Sequence, residues 1–314
     1  LLLALGRTLG LGVDVTFARP LNTAAAAAPF VPQELDDFGD VVVRFATPGG
    51  ARFVDPRLRR APFGYVGPAL EGAPLLVLGE GRVAPERAHS TTPDARSIVL
   101  AARIGLEGEG SASVVEELTG WPALEWVEML DRAGNDRAKL RQDFEQRSLS
   151  QNFPGAVLTD LKVELREGGA QGARVSYTFS HPEMASRDGA VLKIAPTFYR
   201  SQPGRRYATE PSRKTTLLLG ADVPLDLEAR IELPPGVKVV DVGDSGEVAA
   251  GVVRFAERRE VKGRQVIIRR QSRLPMARVE PRDYAEVAGK LRRVDPLESA
   301  EIRVQLPTSK TAGP

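Results

Sequence analysis

From residue 157 to residue 273 the chain consists of short runs of alternating apolar and polar residues separated by Gly, Pro, Asp and Ser, and no other feature limits its fold so strongly. A period of two puts successive side chains on opposite faces of a strand, whereas a helix needs an apolar residue every three or four positions. The runs fall at 157–165, 173–179, 190–195, 215–219, 225–233, 237–242, 252–257 and 265–273. Short strands in this succession, with turn residues between them, predict an antiparallel sandwich. The 30 Gly and 24 Pro among 314 residues supply the turns such a fold needs.

Helical spacing is confined to a few places. Leu2, Leu5 and Leu9 share one stripe, closed by Gly10 and Gly12, and Val13–Phe17 then alternates as a strand. The stretch Pro20–Pro32, with alanines at 24–28, has no amphipathic pattern and reads as a loop. Residues 41–45 and 51–55 form a hairpin across Thr47-Pro48-Gly49-Gly50, 75–78 is a further strand, and 89–94 is a polar linker. Residues 98–104 and 111–118 pair across Gly108-Glu109-Gly110. Trp121-Pro122 opens a helix with Leu124, Val127 and Leu130 on one face, and 135–149 continues as a second, charged helix with Leu140 and Phe144 inward. Pro281–Arg293 is a last helix carrying Tyr284, Val287, Ala288 and Leu291 at helical spacing, and 300–306 is a final strand. The expectation is therefore an α+β fold dominated by β structure. It has one domain over 1–91, a sandwich-type domain over 92–306 with helices near 122–149 and 281–293, and a frayed tail at 307–314.

Composition removes several function classes. The 43 Lys and Arg against 41 Asp and Glu leave a net charge of +2, too small to argue for nucleic acid or a membrane surface. With no cysteine, the chain itself holds no disulfide, thiolate zinc site, iron–sulfur cluster or thiol nucleophile. The two histidines, His89 and His181, lie far apart, which argues against a histidine metal site, and no metal or cofactor is expected. No apolar run approaches the roughly 18 residues of a membrane span, because Leu1–Leu5 is cut by Gly6 and Arg7. Gly6, Gly10 and Gly12 precede a strand instead of following one, so they are not a dinucleotide fingerprint. The chain opens on Leu1 and not on Met, so a fragment or processed product is expected, with any export signal upstream.

The order helix, Gly, strand, loop and hairpin ending in Phe53-Val54-Asp55-Pro56 resembles the second half of a bacterial transglutaminase-like domain of the papain-type superfamily. The runs Phe153-Pro154-Gly155-Ala156, Leu233-Pro234-Pro235-Gly236 and Arg273-Leu274-Pro275, with Arg278–Tyr284, resemble the β-rich region of unknown function that accompanies such domains. The resemblance implies a Cys on an upstream helix, a His opening the first hairpin strand and an Asp closing the second. Asp55 stands at the Asp position. At the His position, within Phe38-Gly39-Asp40-Val41, stands Asp40.

An aspartate there is a poor substitute. Its ordinary pKa near 4 makes it a weak base at neutral pH, and its charge would raise the pKa of a neighbouring thiol. Asp40 and Asp55 could instead form a carboxylate pair for acid–base work, although nothing else marks a sugar site; the simpler expectation is a solvated strand start and a turn residue. Trp121 and Trp126 are five apart, off a single helix face, and so read as core residues before a stacking platform. His89 and His181 read as polar loop residues. The basic clusters Arg200, Arg205, Arg206, Arg213 and Lys214, and Arg269, Arg270, Arg273, Arg278 and Arg282, could dock an anionic envelope polymer. They could equally be the solvated face of a sheet. Residues 251–305 carry 14 basic and 8 acidic side chains.

These observations lead to the expectation of a non-catalytic binding or scaffolding protein built on a degenerate transglutaminase-like fold. Its partner would be another protein or an envelope polymer, and the resemblance favours an exported or periplasmic setting. The alternative is a fragment of a cysteine transglutaminase or protease whose nucleophile lies upstream of residue 1.

Overall fold

The computed structural model describes residues 2–20, 38–79, 82–166, 172–196 and 198–307. The expected Pro20–Pro32 loop and the expected tail from Thr308 lie wholly or almost wholly outside these residues. The chain divides into two compact units, one of residues 1–95, 118–128 and 165–173, the other of 96–117, 129–164 and 174–314.

The first unit opens with α1 (Leu2–Thr8) and β1 (Gly12–Ala18), then β2 (Asp40–Thr47), β3 (Gly50–Val54), β4 (Pro74–Gly79) and β5 (Arg82–Arg87). The strands make one antiparallel sheet in the order β3-β2-β1-β4-β5. Both faces of this sheet are apolar. Val42, Phe53 and Leu75 pack with Val66 and Leu70 on one side, and Val13, Val43 and Phe45 pack with Leu2 and Leu3 on the other. Adjacent valines at 42 and 43 can both be buried only because something covers each face. The seating of α1 depends on Gly6, where a Cβ would lie 2.3 Å from Val13 Cγ2 and 3.4 Å from Phe45. Thr16, wholly buried at the sheet centre, donates its hydroxyl to Val42 O at 2.6 Å.

The chain continues with β6 (Ala95–Ile104), β7 (Gly110–Thr119), α2 (Trp121–Ala133), α3 (Arg137–Phe144), a π-helical turn (Glu145–Leu149) and α4 (Ser150–Asn152). Then come β8 (Val157–Leu165), β9 (Ala173–His181), β10 (Ser186–Asp188), β11 (Val191–Ile194), α5 (Pro203–Tyr207), β12 (Leu217–Leu219), β13 (Leu225–Glu232) and β14 (Lys238–Asp241). The last elements are β15 (Gly246–Ala250), β16 (Val253–Lys262), β17 (Gln265–Arg273), β18 (Ala277–Val279), α6 (Pro281–Leu291), α7 (Val294–Ser299) and β19 (Ile302–Gln305).

The fold is α+β and β-dominated, as expected, with the helices after Trp121 inserted between β7 and β8. The large sheet has eight strands in the order β15-β16-β17-β13-β6-β7-β9-β8, and a second has four, β10-β11-β19-β14. One pairing departs from the antiparallel expectation, since β13 runs parallel to β6 with Leu225 opposite Arg96 and Ile231 opposite Ala102. A parallel partner needs a long connection and leaves no hairpin signature between its strands. The unanticipated elements β5, β10, β15, β18, α5 and α7 are short, and their pairing or packing decides them more than their own pattern does. Tyr284, Ala288 and Leu291 of α6 are buried with Leu217, Val253 and Val279, as the helical spacing predicted. No helix among the described residues is long and apolar enough to cross a membrane.

Candidate functional site

The hairpin of β2 and β3 carries the two aspartates singled out by the sequence. Val43 pairs with Val54 and Phe45 with Arg52, so the start of β2, at Asp40, lies near the end of β3, just before Asp55. Pro56 has no N–H to continue the ladder, so the strand stops and the chain turns at Asp55. Asp55 Oδ1 accepts the Arg57 backbone N–H at 3.0 Å, closing the turn through its own side chain.

The Arg57 guanidinium then folds back on the same carboxylate. Its Nε reaches Asp55 Oδ1 at 2.9 Å and its Nη2 reaches Oδ2 at 2.8 Å, a bidentate fork. Its remaining arm, Nη1, donates to Asp40 Oδ1 at 2.5 Å. Asp55 is only 2% exposed, whereas the Arg57 side chain is 54% exposed. A buried carboxylate is thus neutralised by a cation arriving from the solvent side. The bond to Asp55, before any other influence, holds the Arg57 guanidinium even more firmly protonated than usual. The structure therefore brings Asp40 and Asp55 to one place, with a guanidinium between them. Arg57 was missed by the sequence reading, although its position two residues after an Asp-Pro turn is a legible signal.

The other candidates fall elsewhere. His89 Nδ1 lies 2.8 Å from Glu71 Oε1 at the surface. The 89–94 segment is no free linker, because Ser90 Oγ donates to Val66 O at 2.9 Å and Asp94 Oδ1 accepts from both Tyr65 Oη and the Trp121 backbone N–H at 2.7 Å. Burial, opposed by these two hydrogen bonds, raises the Asp94 carboxyl above its ordinary value. Trp126 is buried, and the half-buried Trp121 donates its indole N–H to Glu125 at 3.0 Å. His181 Nδ1 accepts from the Glu183 N–H at 3.0 Å and its Nε2 lies 2.8 Å from Pro154 O, a pattern that only the neutral Nε2–H tautomer satisfies.

The basic cluster of the second unit is largely matched by acids. Arg269 bridges Glu228 at 2.7 Å and Glu260 at 2.6 Å, Arg273 pairs with Asp226 at 2.8 Å, and Arg206 pairs with Asp222 at 2.6 Å. Arg270 corrects the expectation of a solvated face, because its side chain is 0% exposed. It sits directly opposite Glu257 in the β16–β17 register, with Nε 2.6 Å from Glu257 Oε2. The other oxygen of Glu257 accepts from Arg259 Nε at 2.7 Å. Arg270 also reaches the carbonyls of Phe198 and Tyr199, and Glu298 accepts the N–H groups of Ser201 and Gln202, each at 2.9 Å. Tyr199 and Gln202 have φ of 51° and 45°, so these buried charges hold a strained loop. Among the described residues no group of three or more His, Asp or Glu is placed to hold a metal ion.

No protein-family model matches the chain, and no curated protein matches it. Among solved structures it is similar to one from Parabacteroides distasonis described as a putative protease, with a TM-score of 0.47 and 10% identity over 96% of this chain. The chain spans 41% of the length of that protein, and a likeness at this level carries no argument about chemistry.

Proposed function

We propose that the protein is a non-catalytic binding or scaffolding protein, with residues 1–91 a degenerate transglutaminase-like half-domain and residues 92–306 the part that engages a partner. One observation carries this reading: Asp55, at the position of the family's orienting carboxylate, has both oxygens committed to Arg57, which also takes Asp40. In a thiol mechanism the carboxylate orients an imidazole that accepts and returns a proton. A guanidinium in that place stays protonated throughout the working pH range and can serve as neither base nor acid. The pair of aspartates then stabilises the hairpin end. The resemblance supports an exported or periplasmic setting, with an envelope protein or polymer as partner.

The test is an assay of peptide hydrolysis and transamidation on the full-length gene product, beside its Asp55→Ala variant. Both should be indistinguishable from buffer. Activity present in the parent and lost in the variant would overturn the reading and restore a cysteine enzyme whose nucleophile lies upstream of residue 1.

A further inference from the structure

The second unit contains a cavity of about 260 Å³ that the proposed function does not use. At about 30 Å³ for each water of liquid volume, it has room for a ligand of roughly eight to ten heavy atoms. Its floor is the middle of the large sheet, where Leu100, Ala102, Ala112 and Ile231 face it. The space exists because alanines stand at 102 and 112, on strands whose other inward positions include Ile98, Leu100, Ile104 and Val114.

The walls are fixed. Phe153 and Phe198 stack with ring centroids 5.9 Å apart. Phe198 leads directly into the strained loop held by Arg270 and Glu298. At the mouth the turn after His181 is pinned by both imidazole nitrogens and by the Ala185 N–H donating to Gly108 O at 2.8 Å. Gly108 has φ of 99°, and a Cβ there would lie 2.2 Å from Ala185 O, so only glycine permits this closure. Protein interiors rarely leave such space in rigid apolar walls, and a preformed apolar pocket with few polar groups is the usual form of a small-ligand site.

The charge at the mouth selects the head group. Of the charged side chains lining the cavity, Lys193 is already paired with Asp188 at 2.6 Å. Glu183 makes no ion pair or side-chain hydrogen bond among the described residues, and the imidazole of His181 beside it accepts the Glu183 backbone N–H at 3.0 Å. The mouth thus offers an unmatched carboxylate above an apolar floor. We infer that the cavity binds a small primary alkylammonium or arylalkylammonium compound, its hydrocarbon on Leu100, Ala102 and Ile231 and its ammonium at Glu183. This gives the binding reading a ligand class and rests on it. The two fail separately, since the enzyme assay on Asp55→Ala does not involve the cavity.

The test is calorimetric titration of the full chain at pH 7 with octylammonium, octanol and octanoate. Octylammonium should bind one per chain and octanoate most weakly. Glu183→Gln should weaken octylammonium about two- to fivefold, the range of a solvent-exposed ion pair, and leave octanol unchanged. Ala112→Phe, which fills the floor, should abolish binding of all three. If that variant does not fold, Ala195→Trp at the exposed rim provides the same test without disturbing the core. The inference is overturned if octylammonium does not bind, if octanoate binds as tightly, if Glu183→Gln has no effect, or if a folded blocking variant binds as well as the parent.

Discussion

Replacing Glu257 by Gln tests the buried ion network most directly. The Glu257 carboxylate is 0% exposed and lies between two guanidiniums that are themselves 0% exposed. Among the described residues it is the only side-chain anion paired with either of them. Removing its charge leaves two buried cations facing each other across neighbouring strands, with only carbonyls for acceptors. Breaking a buried pair by deleting one partner costs about 3–5 kcal/mol. At roughly 2–4 °C per kcal/mol for a domain of about 150–250 residues, the expected fall in Tm is on the order of 6–20 °C. Urea unfolding followed by circular dichroism measures the free energy, and the double variant Glu257→Gln/Arg270→Met completes the cycle. Removing one cation together with the anion should recover about 0.5–3 kcal/mol relative to the sum of the single variants. A loss below about 1 kcal/mol for Glu257→Gln, or strict additivity in the double variant, would refute the argument that these charges depend on one another.

Glu298→Gln replaces an acceptor of three donors by a group with one acceptor oxygen, so the Ser201 and Gln202 amides should exchange hydrogen markedly faster and stability should fall by about 1–3 kcal/mol. Arg57→Ala leaves buried Asp55 without its fork and should cost roughly 1.5–3 kcal/mol in denaturant unfolding, whereas Asp40→Ala removes only the outer ion pair and should cost at most about 1 kcal/mol. Asp94→Asn is a test of sign. Because the folded carboxyl titrates above its unfolded value of 3.8, its favourable contribution is complete below that pH and is lost as pH rises through the folded pKa. Asparagine stays neutral and still accepts from Tyr65 and the Trp121 N–H, so the stability of Asp94→Asn relative to the parent should rise between pH 3 and pH 7, and the opposite trend would disprove the shift.

Much of the fold was legible from local pattern. Gly10, at φ 72°, ends α1 where the sequence placed a stop, and Thr47–Gly50 turns the hairpin that carries Asp40 and Asp55. Of the site, the two aspartates were legible and their clamp was not, because Arg57 meets them only once the turn at Asp55 folds its side chain back. A signal for the buried network was also present. Glu257 and Arg259 share the parity of Val253 and Phe255, and Arg270 shares that of Val266 and Ile268. Alternation assigns a face to each residue, but it does not say that inward-facing charges on adjacent strands will meet.

The sequence by itself determined the β-dominated class, the main helices and most of the longer strands, because these follow from a period of two or 3.6 and from turn residues a few positions apart. It also determined that this chain carries no thiol. Tertiary structure alone decided the rest. It set β13 parallel to β6, brought Arg270 onto the carbonyls of Phe198 and Tyr199, and placed Phe198 and Ile231 around Ala102 and Ala112 to leave a cavity. These depend on which strands lie side by side after connections of tens to more than a hundred residues. Chain entropy and packing of the whole core select those pairings, and no local window of sequence contains that information.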